Sequence, residues 1–589
     1  MKQAIKSNIQ RILKTIYLIF SINKKLSIIV FILTILSGLA PTISVLLSQS
    51  LLNSLQIQIG GIKTTIEIFV FYILFSIVAD LISSVSSYYS SKLQILLNYK
   101  LNYMVMEKCG ELSVEQFENS DIYDQITRLE NDISTKPYQT FQAILSFISS
   151  LVTLISVASI LFLWKPWAIL LVMVVPCISA FYYLKIGKEE FEMRYNRSNK
   201  ERESWYLSYL MTHDFAFKEI KVNNLKDFFL KKYWNLKDDF ISQENAINKK
   251  QGVVSVLFNL LQELVSSVVL VLAIIEAFDG KLLLGNVTSY IKSVSMIQSN
   301  TMAIITSLYS IYNSNMYMDL LDVFMELPCD LSNQGKETDQ IQSIKFDRIS
   351  YSYDSNTVLK NINFEINKGD KVAIIGKNGS GKTTLLKILA GLYEPTCGSI
   401  YINEVLFDSL SKNSYRARIS VLFQDFLKLE MSLLDNIALG EQANQQNRQK
   451  VNDILRELDV DFLKDNKYGS QYLLDKQLGN WFDEGQELSG GQWQKIALAR
   501  THYKNCDVYL LDEPSSALDS TAEVKVFDEF FKLSEEKIGV FITHKIGAAK
   551  SANKIIVLDD GSIVGTGTHE QLLSNCFVYR DLYEKEISY

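Results

Sequence analysis

From Leu26 to Ile62 the chain has no Asp, Glu, Lys or Arg, and the same holds for Pro137 to Trp164 and for Ser293 to Met318. A helix that crosses a bilayer needs about 20 mostly apolar residues, so each run is long enough to span one. With 48% of its 589 residues hydrophobic and 21% charged, the chain is not expected to be wholly soluble. Seven Pro, 26 Gly and six scattered Cys exclude a collagen or a disulfide scaffold. The cysteines (109, 177, 329, 397, 506 and 576) lack the close spacing of a metal-ligand pair and read as small buried hydrophobes. A net charge of −6, spread over both halves, gives no reason to expect nucleic acid as a partner.

Hydropathy predicts six spans, at roughly 26–48, 66–90, 139–163, 166–185, 253–277 and 285–310. Residues 1–25 carry Lys2, Lys6, Arg11 and Lys14 at helical spacing and read as a cytoplasmic elbow helix, not a cleaved signal. Three of the connections between spans are short, with one basic residue each (Lys63, Lys165, Lys281). The stretch from Lys185 to Lys250 holds fourteen Lys or Arg, and 91–138 holds five. Basic loops stay inside, so both termini and the two long loops are expected in the cytoplasm, in a multi-pass membrane protein. Apolar residues at three- and four-residue spacing predict that these loops continue the spans as long helices. The stretches from Phe117 to Asp124 and from Phe217 to Lys221 would then lie at the hairpin tips, suited to touch a cytoplasmic domain; a solvated turn is the plainer alternative.

After Leu327-Pro328-Cys329-Asp330 the composition changes. The expected organisation is an elbow at 1–25, an all-α transmembrane domain of six spans at 26–325, a linker at 326–343 and an α/β domain at 344–589, in which short apolar strands alternate with helical segments. No internal repeat or low-complexity tract is evident.

The residues Gly376-Lys377-Asn378-Gly379-Ser380-Gly381-Lys382-Thr383 follow the apolar strand 371–375 and open a helix, beginning with Thr384. This is the context in which G-x-x-x-x-G-K-[ST] wraps phosphates: glycines let backbone N–H groups approach, Lys382 faces the β/γ-phosphates, and the Thr383 hydroxyl can ligate Mg²⁺. Val508-Tyr509-Leu510-Leu511-Asp512-Glu513 puts Asp512 at the end of a strand, suited to the Mg²⁺ shell, and Glu513 one step beyond as a candidate general base; a surface carboxylate is the plainer reading of Glu513.

Between these motifs lies Leu488-Ser489-Gly490-Gly491-Gln492. With both phosphate motifs in this order, it resembles the signature of ATP-binding-cassette transporters. The resemblance implies that Tyr353 stacks on adenine and that Gln424 links Mg²⁺ and water to the membrane domain. It implies also that Ser516-Ala517-Leu518-Asp519 crosses between two cassettes, with Asp519 in the nucleotide site, and that His544 contacts the γ-phosphate. Ser489, Gly490, Gly491 and Gln492 would reach the ATP held by a second cassette, so one chain is half a transporter. An intact motif set argues for a homodimer using ATP and Mg²⁺. Spans fused ahead of the cassette resemble the exporter class.

Narrower still, Val421 to Phe426 and Gln477 to Arg500 look like the lantibiotic exporters of the nisin and subtilin type. The implied function is export of a lanthionine-modified precursor peptide across a bacterial plasma membrane, beside a dehydratase and a cyclase; the alternative is a multidrug or lipid exporter. With a first span entered by residue 26, no amino-terminal cysteine-peptidase domain is expected, which leaves leader removal to another protein. Asp80, Glu263 and Glu276 are acids in or near spans. Asp80 and Glu263 are candidates to face a cationic cargo; a polar contact between helices, or for Glu276 an interfacial position, is the alternative.

Overall fold

The computed structural model describes residues 13–58, 61–119, 121–122, 125–126, 129, 136–330, 335–353, 356–441, 444–465, 471–514 and 520–587. The chain divides into two compact units, Met1–Glu111 with Asn119–Pro328, and Leu112–Glu118 with Cys329–Tyr589.

The first unit is helical. An apolar helix, Leu13–Ile22, precedes α1 (Lys24–Ile57), which starts where the Asn23 side chain accepts from the Leu26 N–H. Next come α2 (Gly61–Glu111), the short α3 (Val114–Glu118, part of the second unit), α4 (Lys136–Trp164) and α5 (Pro166–Asn196). Then follow α6 (Ser198–Thr212), α7 (Asp214–Val222), α8 (Lys226–Phe278) and α9 (Leu284–Met325). With 53 residues, α8 is about 80 Å long, well over twice a hydrocarbon core of about 30 Å. The long basic loops therefore do continue the apolar helices.

Among the described residues five helices are long and apolar enough to cross a membrane: Lys24–Ile57, Gly61–Glu111, Lys136–Trp164, Pro166–Arg194 and Lys226–Phe278. The sixth expected span, 285–310, is helical as part of α9 but is not among the five. Asn286, Thr288, Ser289, Lys292, Ser293, Ser295, Gln298 and Ser299 lower its hydropathy. That polarity has partners inside the unit. The Asn286 carboxamide oxygen accepts from Gln49 (2.7 Å) and Asn53 (2.9 Å) of α1, while Val294 and Ile297 pack with Val157, Val172 and Val269. A helix shielded by its neighbours does not need the uniform hydrophobicity that lipid demands. Close helix approach is visible at Gly38, where the Thr153 hydroxyl of α4 donates to the glycine carbonyl at 2.7 Å.

The second unit holds two large sheets and, among the described residues, a two-stranded ribbon of Lys464–Asp465 with Gln471–Tyr472. β2 (Asn356–Asn367), β1 (Ser343–Tyr353), β4 (Cys397–Ile402) and β5 (Val405–Leu406) form an antiparallel four-stranded sheet in that order. The other, six-stranded, runs β10-β9-β3-β8-β7-β6, with β3 (Lys371–Gly376), β6 (Ile419–Leu422), β7 (Val508–Asp512), β8 (Ile538–Ile542), β9 (Lys554–Asp559) and β10 (Ser562–Gly567). All its pairings are parallel except β9 with β10. Alternation divides the strands between two cores: Val372, Ile374, Val508 and Leu510 face one, Ala373, Ile375, Tyr509 and Leu511 the other. In the latter core, α13 (Gly490–Tyr503) contributes Trp493, 1% exposed, and α12 (Gln445–Glu457) contributes Val451 and Leu455. The P-loop helix α10 (Lys382–Leu389) lies in the former. α11 (Leu433–Ala438), α14 (Ser520–Leu533), α15 (His569–Asn575) and α16 (Phe577–Ile587) complete the unit's main helices.

Because Trp493 fills the space between α13 and its neighbours, Trp493→Ala is expected to destabilise the second unit by about 3–5 kcal/mol. Its thermal transition in the full chain, followed by scanning fluorimetry in detergent, should move down accordingly; an unchanged transition would contradict the packing assigned to this residue.

Candidate active site

Strands β3, β8, β7 and β6 are adjacent and parallel, so their carboxyl ends deliver four loops side by side. In open parallel sheets this edge is where ligands bind. After β3 the chain turns through Gly376 to Lys382. A Cβ on Gly376 would collide with the Leu558 carbonyl, and Gly381 sits at φ +96°, which only glycine adopts without strain. The loop is therefore tied to those glycines. Lys382, 6% exposed, donates to the carbonyls of Gly376 (3.1 Å) and Lys377 (3.0 Å). Burial pushes its ammonium pKa down, against the opposing pull of Glu513 and Asp512. The Ser380 hydroxyl is buried with no hydrogen-bond partner among the described residues.

Asp512 ends β7 and is 2% exposed. Burial raises its pKa; the Thr383 hydroxyl, hydrogen-bonded to it, and Lys382 oppose the rise, whereas Glu513 and Asp425 add to it. One carboxylate oxygen, Oδ1, has no partner among the described residues. Glu513 leaves the strand at φ +47°, a left-handed backbone that is uncommon outside glycine, anchored by its N–H to the Ile542 carbonyl at 3.1 Å. Its two carboxylate oxygens point to different partners. Oε1 lies 2.6 Å from His544 Nε2, after β8, and Oε2 accepts from Gln424 Nε2, after β6, at 3.2 Å. Three expected site residues from three loops thus meet.

Tyr353, at the end of β1, packs edge-on against Tyr351 and Tyr393 and has its hydroxyl 3.4 Å from that of Thr384 on α10. It is 39% exposed, so one side of the ring is open. Ser489 caps α13: its hydroxyl accepts from the Gln492 N–H (3.4 Å), and the Gln492 side chain accepts from the Ser489 N–H (2.9 Å). Ser489 and Gly490 are exposed, and a Cβ at Gly490 would meet nothing within 4 Å. Neither contacts the Glu513 cluster in any hydrogen bond described here. Asp519 and the rest of Ser516 to Leu518 lie outside the described residues.

Sequence reasoning passed over the residues that tie α13 to this site. The Gln494 amide donates to the Pro514 carbonyl, just past Glu513. Arg500 donates to the Asn436 carbonyl (2.6 Å) and side chain (2.6 Å), and to the Leu427 carbonyl, which follows Gln424; burial pushes its pKa down to about 10. Both lie in the quoted stretch around the signature, but only long-range contacts give them a task.

The segment Leu112–Glu118 also belongs to this unit. Ser113 and Gln116 cap α3 reciprocally, Val114 packs on the core, and Glu115 accepts from the Tyr351 hydroxyl at 3.0 Å. Glu118 accepts from Lys387 of α10 at 2.9 Å and from the Tyr393 hydroxyl. Burial opposes its ionisation, but those two donors outweigh it and hold its pKa below the ordinary value. The first expected tip thus contributes Phe117 and Glu118, while Ser120, Tyr123 and Asp124 lie outside the described residues. The second is α7, which exposes Phe215 and Phe217 and buries Ile220.

Of the membrane acids, Glu263 lines a cavity of about 350 Å³ between α5, α8 and α9; Asp80, on α2, does not line it. Glu276 is already engaged, 2.5 Å from Lys165 and accepting from Trp164 Nε1 at 2.8 Å.

The family comparisons agree with this geometry. Residues 27–301 match the ABC transporter transmembrane region and residues 359–516 the ABC transporter cassette. The subtilin transport ATP-binding protein SpaT of Bacillus subtilis is 46% identical over 577 residues, covering 97% of this chain and 94% of that protein. The nisin transport ATP-binding protein NisT of Lactococcus lactis subsp. lactis is 38% identical over 578 residues, with 97% and 95% covered. An ATP-dependent lipid A-core flippase of Paraburkholderia xenovorans is 25% identical over 519 residues, 85% of this chain and 84% of that one. In fold, a bacterial Atm1-family ABC exporter solved with ATP bound superposes with a TM-score of 0.79 at 19% identity, over 94% of this chain and 97% of that one. A helical membrane domain joined to a complete phosphate-binding cassette, matched end to end by transport ATPases, makes this chain a member of the ABC transporter family, an ATP-hydrolysing half-transporter of the exporter type.

Proposed function

We propose that the chain exports a lanthionine-modified precursor peptide across a bacterial plasma membrane. The observation that carries this reading is its end-to-end similarity to the subtilin and nisin transport proteins, far above its similarity to the lipid flippase. The intact set of motifs supports a homodimer with two equivalent ATP sites, each completed by Ser489, Gly490, Gly491, Gln492 and Asp519 of the second copy. The charge distribution supports both termini on the cytoplasmic side. A dehydratase and a cyclase are the expected partners, because the cargo must be modified before it leaves.

At each site Tyr353 stacks on adenine, and the backbone from Gly376 to Thr384 wraps the phosphates. Water attacks the γ-phosphate in line, the bond to the bridging oxygen breaks, and ADP leaves; Glu513 takes the water's proton. Its contacts with Gln424 and His544 support this role, since a base held through both oxygens has little orientational freedom to lose. Lys382 and His544 stabilise the charge that develops on the phosphoryl oxygens.

Mg²⁺ suits the residues present. The partnerless Oδ1 of buried Asp512, beside the Thr383 hydroxyl, is a hard oxygen donor set, with the Gln424 carboxamide as a further oxygen ligand. Among the described residues no cluster of three His, Cys, Asp or Glu would hold a metal without help. This matches Mg²⁺, which binds through one or two protein groups plus substrate phosphates. Bound there, the ion would neutralise phosphate charge.

Closure of two cassettes around ATP would be passed to the spans by the tips near Tyr123 and Lys218, turning an inward-open path outward. Asp80 and Glu263 are the proposed acids on the cargo path.

The test is ATPase activity of the reconstituted protein, titrated with a modified precursor peptide and separately with hydrophobic drugs or lipid A. Stimulation by the peptide that depends on its leader is expected; stimulation by drugs or lipid alone would overturn the cargo assignment and leave the ATP chemistry standing. Glu513→Gln should keep ATP binding but slow hydrolysis about 10²–10⁴-fold and accumulate a closed dimer, visible by crosslinking. Near-normal steady-state hydrolysis would contradict the base. Asp512→Asn has a more particular signature. A carboxyl whose folded pKa is raised costs stability as pH climbs through the unfolded value of about 3.9, and the full cost applies above the folded value. At pH 7 the variant without nucleotide should therefore melt about 2–4 °C higher per kcal/mol relieved, while losing the stabilisation that Mg²⁺ adds to ATP. A lower melting point would contradict the burial cost assigned to Asp512.

A further inference from the structure

The cavity beside Glu263 has an unusual hydrogen-bond inventory, and its origin is a proline. Pro176 interrupts α5. Having no N–H, it cannot donate to the Val172 carbonyl one turn earlier. Gln262 of α8 fills that gap: its Nε2 donates to Val172 O at 3.2 Å. The carboxamide is thereby committed, and its Oε1 is left buried with no partner among the described residues.

Several other donors around the cavity are spent in the same way, on protein acceptors. Gln298 Nε2 donates to the Gln262 carbonyl (3.4 Å) and to the Ser266 hydroxyl. Ser179 donates to the Pro176 carbonyl (2.9 Å), Ser299 to the Met296 carbonyl (3.2 Å), and Asn259 Nδ2 to Ser255 Oγ (3.4 Å). What remains is the Ser295 hydroxyl, one N–H each of Asn259 and Gln262, and acceptors, of which only the carboxylate is charged. The Glu263 carboxylate has no hydrogen bond or ion pair among the described residues, and no Lys, Arg or His lines the cavity. Asn259, Gln262 and Glu263, at i, i+3 and i+4, share one face of α8, so the carboxylate and the Asn259 carboxamide oxygen lie within one helical turn, with the buried Gln262 oxygen between them in sequence.

A carboxylate near the middle of the expected span 253–277 needs either a partner or water. A cavity lined by an unpaired carboxylate and by no cationic side chain selects a ligand with a positive charge and donors to offer it. A primary ammonium has three donors, no acceptor and a compact charge, whereas a guanidinium spreads five donors over a rigid plane. We infer that the Asn259–Gln262–Glu263 turn is a subsite for one primary ammonium group of the cargo, a lysine side chain or a free amino terminus. The inference rests on the peptide-export reading and adds to it a chemical requirement on the peptide.

The test uses the full-length transporter in nanodiscs and three fluorescent, amino-terminally blocked apolar peptides that differ at one position: lysine, Nε-acetyllysine or arginine. Equilibrium binding should favour lysine over its acetylated twin by about tenfold or more in the wild type. Glu263→Gln should erase that preference by weakening only the lysine peptide. The acetylated twin, bound as before, then reports an intact cavity, and Glu263→Asp should recover part of the preference. Equal binding of the twins to the wild type, equal weakening of both by Glu263→Gln, or tighter binding of the arginine peptide would each overturn the subsite. The two readings fail separately. If the modified precursor is neither exported nor stimulatory, the export reading falls while lysine discrimination stands; if the precursor is exported and discrimination is absent, only the subsite falls.

Discussion

The parallel register of β3, β8, β7 and β6 is the constraint on which the nucleotide site depends. Val540 pairs with Val372 on one side and Leu510 on the other, and Leu422 pairs with Leu511, so the four strands end almost level. Level ends are what allow Gln424, Glu513 and His544, distant in sequence, to meet within hydrogen-bond reach. A shift of one residue along β7 would turn Asp512 and Glu513 to opposite faces, because side chains alternate along a strand. The register is itself held by burial. β7 and β8 have no exposed residue, and each strand feeds apolar side chains to both cores. The geometry of the candidate site and the hydrophobic patterning are thus one specification.

That coupling explains why the site was so legible in the sequence and parts of the fold were not. Phosphate binding uses backbone N–H groups within one short loop, so Gly376 to Thr383 has to carry its information locally, as do the strand-then-acid pattern of Asp512 and the capping pair Ser489 and Gln492. The tie from Gln494 to Pro514 and those from Arg500 to Asn436 and Leu427 join segments whose proximity exists only after folding. The affiliation of Leu112–Glu118 with the cassette unit was legible only in part: Phe117 and Glu118 fall in the stretch expected to touch a cytoplasmic domain, but their partners were hidden. It depends on Tyr351, Lys387 and Tyr393, all more than two hundred positions away, and nothing in the local string marks Glu115 and Glu118 as their partners. In the membrane unit, hydropathy located α1, α2, α4, α5 and α8 but measures average polarity. Polarity that is satisfied by Gln49 and Asn53 looks the same to it as polarity that is exposed, so α9 falls short as an apolar span while packing as a full member of the bundle.

The links around α13 also bear on how nucleotide chemistry and movement are joined. Ser489 and Gly490 stand exposed at the amino end of α13, while Gln494 and Arg500 tie the middle and far end of the same helix to the loops that follow Glu513 and Gln424. A rigid helix with both attachments cannot move at its cap without loading those loops. On the proposed scheme, in which the cap meets ATP held by a second copy, docking of the partner would therefore reach Glu513 mechanically through one turn of helix, with no need for a longer path. The left-handed backbone of Glu513 makes this loop the part of the edge with strain to release.

Polar groups in the membrane unit fall into two classes by what they do with their hydrogen bonds. At the end of α8, Glu276 has Lys165 and Trp164, and the Trp164 ring stacks on Tyr290 at 4.4 Å, so this acid fastens the α4–α5 connection to α8 and α9. Its charge is compensated inside the fold, which removes any reason for cargo to bind it. Glu263 is the contrary case. Its neighbours spend their donors on Val172, Pro176 and Met296 carbonyls and leave it uncompensated. An ionisable group within a membrane span is costly enough that such a residue would be expected to lose out to an apolar one unless something periodically supplies the missing charge. A resident cation would fix the helices together, as Lys165 does; a transient one, carried in by the cargo and removed with it, leaves them free to separate in each cycle. On the proposed cargo path, the second arrangement suits a place that must open in each cycle.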